Sequence, residues 1–374
     1  MKRFNLHLGA VLLLASSAAT ANAQGTLYWD TNGADPGAGT NSPEPGFTDG
    51  IWGTDNFWST DPNGTVATGP WTAGEHAVFS AGTDAMDAFV DVTGTQTAAS
   101  VTIEEGLVTF NSGVIDTGAG PININSGATM SINLITRLAG TGKVTLSGGT
   151  LRQTNPGNAG SFLNATRPLE INGTGTVNYT PTNPDGTPGV GTVSIYNPSA
   201  GSAIIGVGGT PTNGGAGTLI KTGPQEFRYN GTTRAQTTFA KLVVLEGLFR
   251  LGNVTGSNTE LGFGAAPLTE LADAITLNGG AIGSSMLSTE SVLHPNRGVT
   301  IGPNGGFFNG GGGAFITVQA HLTGSSLVTL TGGGGLVLTN ADNASTFTGK
   351  FLVNAGTLAF TADTALGAVP ASPV

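Results

Sequence analysis

Residues 218–251 read TLIKTGPQEFRYNGTTRAQTTFAKLVVLEGLFRL, and 109 positions later, at 327–360, the chain reads LVTLTGGGGLVLTNADNASTFTGKFLVNAGTLAF. The two stretches align without a gap. Seven positions are identical: Thr222/Thr331, Gly223/Gly332, Ala235/Ala344, Thr237/Thr346, Lys241/Lys350, Val244/Val353 and Gly247/Gly356. Each copy closes on a glycine followed by alternating apolar residues, Gly247-Leu248-Phe249-Arg250-Leu251 and Gly356-Thr357-Leu358-Ala359-Phe360. Each then runs to a Leu-Gly pair and a proline, Leu261-Gly262 with Pro267 and Leu366-Gly367 with Pro370. Alternation over so short a run describes a strand with one face buried. The glycine ends it in a turn, and Gly356 is expected to hold a positive φ.

A smaller unit of the same kind recurs outside the two copies: apolar, any, apolar, any, then Gly or Ser-Gly. It starts at Val108, Ile122, Val144, Leu169, Ile275, Val299 and Val328. Intervals between neighbouring units include 14, 22, 25, 24 and 29 residues. Spacings of this size fit one coil of a solenoid built from two or three short strands, with variable outer loops. The fold expected is all-β: a right-handed, single-stranded parallel β-helix (solenoid) with an irregular Trp-rich N-terminal cap.

The second copy carries a Gly-rich run into Leu336-Val-Leu338, then Asn340, Phe347-Thr-Gly349 and Val353-Asn-Ala-Gly356-Thr-Leu358. This resembles the autotransporter-associated β-strand repeat of bacterial surface proteins. Phe347 stands where that repeat has Tyr, and Pro224-Gln225-Glu226 replaces the glycine run in the first copy. The resemblance implies a passenger architecture, with a C-terminal translocator as partner, and brings no chemistry with it.

Composition agrees with many short strands and tight turns. Gly is 62 of 374 residues and charged residues are 10%, against about 7% and about 25% in ordinary proteins. With no cysteine, a disulfide framework, thiolate metal sites and a cysteine nucleophile are excluded. Lys2 and Arg3, the apolar run from Leu6 to Ala15, and Ala21-Asn22-Ala23 form a signal peptide over residues 1–23. Export through the inner membrane to the cell surface or the medium follows. Cleavage would leave 11 basic and 23 acidic residues, a net charge of −12. Thirteen of those acids, and no Lys or Arg, lie between Gln24 and Asp116. Such a surface repels phosphates and anionic lipid, so neither nucleic acid nor a membrane surface is an expected partner. No stretch after the signal peptide is apolar enough to span a membrane.

The chain divides into the signal peptide (1–23), an N-terminal cap with the first irregular coils (24–92), and the solenoid (93–374). The solenoid includes the copies at 218–251 and 327–360 and a proline-rich loop at 180–198 around Pro181, Pro184, Pro188 and Pro198. Val374 falls inside a repeat, and a fragment, a truncated reading frame or a passenger without its carrier is the expectation. The cap holds all four tryptophans, Trp29, Trp52, Trp58 and Trp71, with Tyr28 beside them. These rings could stack on sugar, but packing over the open end of the stack is the better reading, because an uncovered edge invites aggregation.

No constellation of catalytic residues stands out. Polysaccharide lyases and hydrolases need clustered carboxylates, whereas Asp116, Glu170, Asp185, Glu226 and Glu246 are scattered, and adjacent Glu104 and Glu105 face opposite ways. Asp30-Thr-Asn32-Gly-Ala-Asp35 resembles a calcium loop loosely, without its last ligand, and an Asx turn explains it as well. Gly140-Thr-Gly142-Lys143 lacks the Ser or Thr and the helix of a phosphate loop. His76, His294 and His321 are isolated. We therefore assign no catalytic, cofactor-binding or metal residues and expect no cofactor. The function expected is a non-enzymatic exported structural or surface-display passenger with an adhesive role. A polysaccharide-binding or polysaccharide-degrading β-helix is the alternative, and a cell-surface glycan or a translocator outside this chain is the partner.

Overall fold

The computed structural model describes residues 24–39, 47–132, 137–161, 163, 167–183, 185–195, 204–210, 212–229, 237–251, 260–284 and 290–369. The segment read as a signal peptide, 1–23, lies outside the described residues.

The chain folds as an all-β parallel solenoid. Its spine is an eleven-stranded sheet, the long sheet, which holds one strand from each successive coil, from Gly50–Trp52 to Leu322–Gly324. All ten pairings in it are parallel. An eight-stranded first sheet runs beside it from Thr26–Trp29 to Ile204–Gly206, and an eight-stranded third sheet from Gly157–Ser161 to Lys350–Val353. A short three-stranded sheet precedes the third sheet in the early coils. A four-stranded late sheet, Glu290–Val292 to Thr357–Phe360, takes over after the first sheet has ended. Helical structure among the described residues is confined to brief 3₁₀ turns such as Ala341–Ser345.

Period two explains the core. Each strand points alternate residues inward, and parallel pairing stacks like positions coil after coil, with register shifts at Asn158/Ser161 and Leu271/Ile275. One inward column of the first sheet reads Leu27, Ala77, Val101, Ile122, Val144, Leu169, Ile204. One of the third sheet reads Phe227, Phe249, Ile282, Phe308, Leu330, with the first two rings stacked at 5.3 Å. All these side chains are buried.

The recurring unit does not mark one face of the solenoid. Val108 and Ile275 lie on the long sheet, Ile122, Val144 and Leu169 on the first, and Val328 on the third. The 109-residue repeat is displaced in the same way. Its first copy places strands Thr218–Thr222 and Glu226–Tyr229 on the long and third sheets, while its second copy places Leu327–Gly332 and Gly335–Leu338 on the third and late sheets. What the two copies share is a corner. Gly223 and Gly332 have φ of 82° and 84°, and Gly356 has φ of 84° as expected. A Cβ on Gly356 would lie 2.1 Å from the Gly334 carbonyl oxygen, so no larger residue fits.

Coil length follows the same logic. Like positions on the long sheet are 22 residues apart from Leu107 to Thr129, 21 to Thr150 and 26 to Thr176. The step then lengthens to 44, from Thr176 to Ile220, where the proline-rich segment is inserted. That loop is shorter than its prolines implied. Gly191–Ile195 pairs in the third sheet with Gly157–Ser161 and Glu226–Tyr229, so among the described residues of that loop the protruding ones are 180–183 and 185–190, Pro184 and Pro198 lying outside them.

Residues 24–92 already belong to the parallel ladder. Thr26–Trp29 pairs with His76–Phe79, and Gly50–Trp52 with Asp87–Val92. The first sheet stops at Trp58–Ser59, which pairs antiparallel to Thr26–Trp29, so no long parallel edge is left open there. Trp29, Trp52 and Trp58 are buried and Trp71 packs against them.

Lys221 interrupts an aliphatic column of the long sheet, between Val177 and Val244. It occupies the position that Leu330 fills in the second copy. Its ammonium turns to the corner and donates to the carbonyls of Thr222 (2.8 Å), Gly223 (2.6 Å) and Glu246 (3.1 Å). Burial lowers its pKa to about 7, against an opposing pull from Glu246. The unfolded chain thus holds this proton up to about pH 10.5, whereas the folded chain releases it near 7, and stability rises with pH across that window. Thermal melts of the native protein and Lys221→Met between pH 7 and 10 should show their difference moving in favour of the native chain as pH rises. A constant difference would contradict the assignment.

Candidate functional site

On the outer face of the long sheet, one column of side chains runs Phe89, Thr109, Ser131, Arg152 across four consecutive coils. Neighbouring strands are about 4.8 Å apart, so the column spans roughly 14 Å. Each residue takes the outward position because its neighbours in the strand, such as Ala88 and Val90 or Leu151 and Gln153, point into the core, although Ser131 is itself covered at 1% exposure. The column forms the floor of a groove of about 690 Å³. Thr182, Asn183 and Gly186 from the 180–190 loop wall one end, with Asn155 and Pro156 beside them.

The wall is a built structure. Thr182 and Pro188 form an antiparallel bridge, and Asn183 Nδ2 donates to Thr187 Oγ1 (3.0 Å) and the Pro188 carbonyl (3.3 Å). Exposed Asp185 accepts from the Thr187 N–H and hydroxyl, which together hold its pKa below the usual carboxylate range. Below it, the buried Tyr179 hydroxyl donates to the Asn155 carbonyl (3.0 Å). Gln153 Oε1 accepts from the N–H groups of Thr154 and Asn155. These contacts fix the turn that follows Arg152.

Two residues give the groove its chemical character. Phe89 is 53% exposed, an uncommon placement for a large aromatic ring. Arg152 Nε is enclosed without an acceptor, and Asp87, in the same strand as Phe89, lies within electrostatic reach of its guanidinium. Most of the basic side chains nearby in sequence are engaged: Lys143 with Glu170 (2.5 Å), and Arg167 with the carbonyls of Gly142 and Ala139. Burial lowers the pKa of Arg167 to about 10, with Asp116 opposing. The groove can therefore offer an aromatic face, several hydroxyls and amides, and one cation to a ligand.

The carboxylates considered for catalysis do not meet. Glu170 is paired as above, Glu226 bridges Arg228 and Arg250, and Glu246 accepts from the Gly223 N–H. Glu105 accepts from Ser80 Oγ and the Ala85 N–H, and the carboxyl of Glu104 is raised by burial and then by Glu105. None of these lines the groove. Lys143 leads into a strand, Val144–Leu146, not a helix. His76 bonds Ser100, His294 accepts from the Asn296 N–H, and His321 pairs with Glu270. Among the described residues, no three acidic or histidine side chains converge to hold a metal by themselves. Nor is any helix long and apolar enough to cross a membrane. The tryptophans point inward and leave no ring platform at the surface except the part-buried edge of Trp71.

Phe89 and Arg152 escape a sequence reading because outward positions carry no periodic apolar signal. The one available cue was an arginine at an outward position of Thr150-Leu-Arg-Gln153. A scan of protein-family models, a search of curated proteins and a search of solved structures each give no match.

Proposed function

We propose that this chain is an exported, non-enzymatic scaffold whose long sheet presents a binding groove for an anionic polysaccharide. The observation that carries the reading is the outward column Phe89, Thr109, Ser131, Arg152 beneath the 180–190 wall. An extended glycan repeats at intervals and lies naturally along a surface that repeats coil by coil. An aromatic face packs against the C–H face of a sugar ring, while hydroxyls and amides bond its hydroxyls directly or through water. Arg152 suits a planar carboxylate or a sulfate, to which a guanidinium donates two hydrogen bonds at once. The solenoid's carboxylates are dispersed among separate ion pairs and hydrogen bonds, which supports binding without cleavage. The likeness of residues 327–360 to a passenger repeat supports display at the cell surface.

Affinity electrophoresis or calorimetry against alginate, pectate and sulfated glycosaminoglycans tests this. Arg152→Ala and Phe89→Ala should each weaken binding by about tenfold or more, the worth of one charged hydrogen bond or one aromatic contact. Their melting temperatures should stay unchanged, and no new reducing ends or unsaturated products should appear. Absence of binding to every anionic glycan, or undiminished binding by both variants, would overturn the reading.

A further inference from the structure

We propose that a three-loop junction around Asp30, in the N-terminal cap, is a calcium site. The loop after Thr26–Trp29 meets two turns there. The Gly37 N–H donates to the Asn63 carbonyl (2.8 Å), the Gly82 N–H to the Pro62 carbonyl (2.7 Å), and the Ala38 N–H to Asp84 Oδ1 (2.8 Å). Asp30 is fully buried among them. Its Oδ1 accepts from the Asn32 N–H (3.1 Å), but Oδ2 meets no donor. Asn32 Oδ1 is a second enclosed oxygen without one.

The space in front of Asp30 Oδ2 is kept open by Gly64. A Cβ there would stand 3.0 Å from Asp30 Oδ2 and 2.3 Å from the Gly37 carbonyl oxygen, so both oxygens face the same small volume. Asp61 and Asp84 add negative potential at Asp30. No lysine or arginine occurs between residues 24 and 116 to answer it. Main-chain N–H groups of Asn32 and Gly33 hold part of the Asp30 charge, but a buried carboxylate with one oxygen unpartnered and like charges beside it favours a cation or a proton there. Burial first, and these two acids after it, raise the Asp30 pKa to about 6.

The donor set selects among cations. The two donors that meet at Gly64 are oxygens, the Asp30 carboxylate and the Gly37 main-chain carbonyl, and the unpartnered Asn32 amide oxygen belongs to the same irregular loop. Zinc prefers nitrogen and sulfur, and magnesium demands near-ideal octahedral geometry. Calcium accepts six to eight mixed oxygens, water included, in flexible geometry. Because three acidic side chains do not close on one point here, carbonyl, amide and water oxygens complete the shell. Affinity in the class of extracellular sites, about 10⁻⁴–10⁻³ M, is expected. The ion would tie together the three loops that begin the ladder.

The test uses the full chain with terbium and calcium as probes. Trp29 directly precedes Asp30, so indole excitation should sensitise bound terbium, and calcium should displace it. All four tryptophans lie in residues 24–92, so their fluorescence reports melting of this region. Its midpoint should rise by a few degrees in millimolar calcium relative to EDTA. Asp30→Asn should lose both the terbium signal and the calcium shift, while melting in EDTA no lower than the native chain. Equal native midpoints in calcium and EDTA with no sensitised emission would overturn the site. So would emission that survives in Asp30→Asn, which would place the ion elsewhere on the acidic surface. Stabilisation by acid alone, with calcium inert, would assign the neutralising role to a proton and overturn it too.

Discussion

Replacing Arg297 by methionine should destabilise the protein by about 3–5 kcal/mol, the range for removing one partner of a buried ion pair. The Arg297 side chain is fully buried and Glu260 is 2% exposed. Nε donates to Glu260 Oε2 (2.9 Å), Nη1 to the Phe263 carbonyl (2.8 Å), and Nη2 to the carbonyls of Gly264 (3.0 Å) and Ala265 (2.9 Å). The same Glu260 oxygen accepts from the His294 N–H (2.6 Å). One side chain thereby satisfies the turn at 260–265 from the next coil, where the long sheet takes a 33-residue step from Val243 to Thr276. Methionine keeps the apolar stem, strips three carbonyls of their donor and removes the cation beside Glu260. Neutralising Glu260 as well, in Arg297→Met/Glu260→Gln, should recover part of the loss, since the uncompensated charge is the larger penalty. Because a solenoid can unfold in sections, hydrogen exchange across 260–301 under mild denaturant is the measurement. A loss below about 1 kcal/mol would show that the strut is dispensable.

Trp52→Ala is the second large effect, about 3–5 kcal/mol for an aromatic removed from a packed core. Trp52 meets Trp58 at 5.3 Å, Trp71 at 5.1 Å and Phe79 at 5.6 Å between ring centroids. It joins the long sheet to the cluster around Trp29, whose indole N–H donates to the Thr48 carbonyl (2.8 Å). The Trp52 and Trp58 N–H groups are enclosed without an oxygen acceptor. Trp52→Phe, which keeps a ring and deletes one of these groups, should therefore lose much less than Trp52→Ala. Urea unfolding followed by near-ultraviolet dichroism compares them. Glycan binding at the distant Arg152 should be unaffected by either change. Loss of glycan binding with undiminished stability would revive the tryptophans as a sugar platform.

The solenoid was legible because its causes are local. In Val144-Thr-Leu146 and Ile275-Thr-Leu277 the period of two states which side chains go inward. Gly223, Gly332 and Gly356 mark corners because the left-handed backbone there excludes other residues. The same local character limited the reading. A strand–turn unit says that the chain turns a corner, and identical units serve three different sheets. The inserted residues before Ile220 decide which face comes next, and no rule of periodicity counts them. The proline-rich segment illustrates this: its prolines signal a protrusion, but pairing with neighbouring coils draws 191–195 back into the third sheet.

Sequence alone determined the class of fold, the inward positions within each strand and the corner glycines, since each depends on neighbours a few residues away. The tertiary structure alone decided what meets across coils. Phe89 and Arg152 are 63 residues apart yet share one outward column. Asp30 and Asp84 are 54 apart yet share one junction. Such meetings depend on summed coil and loop lengths and on parallel register, quantities that become definite only when the whole stack is closed.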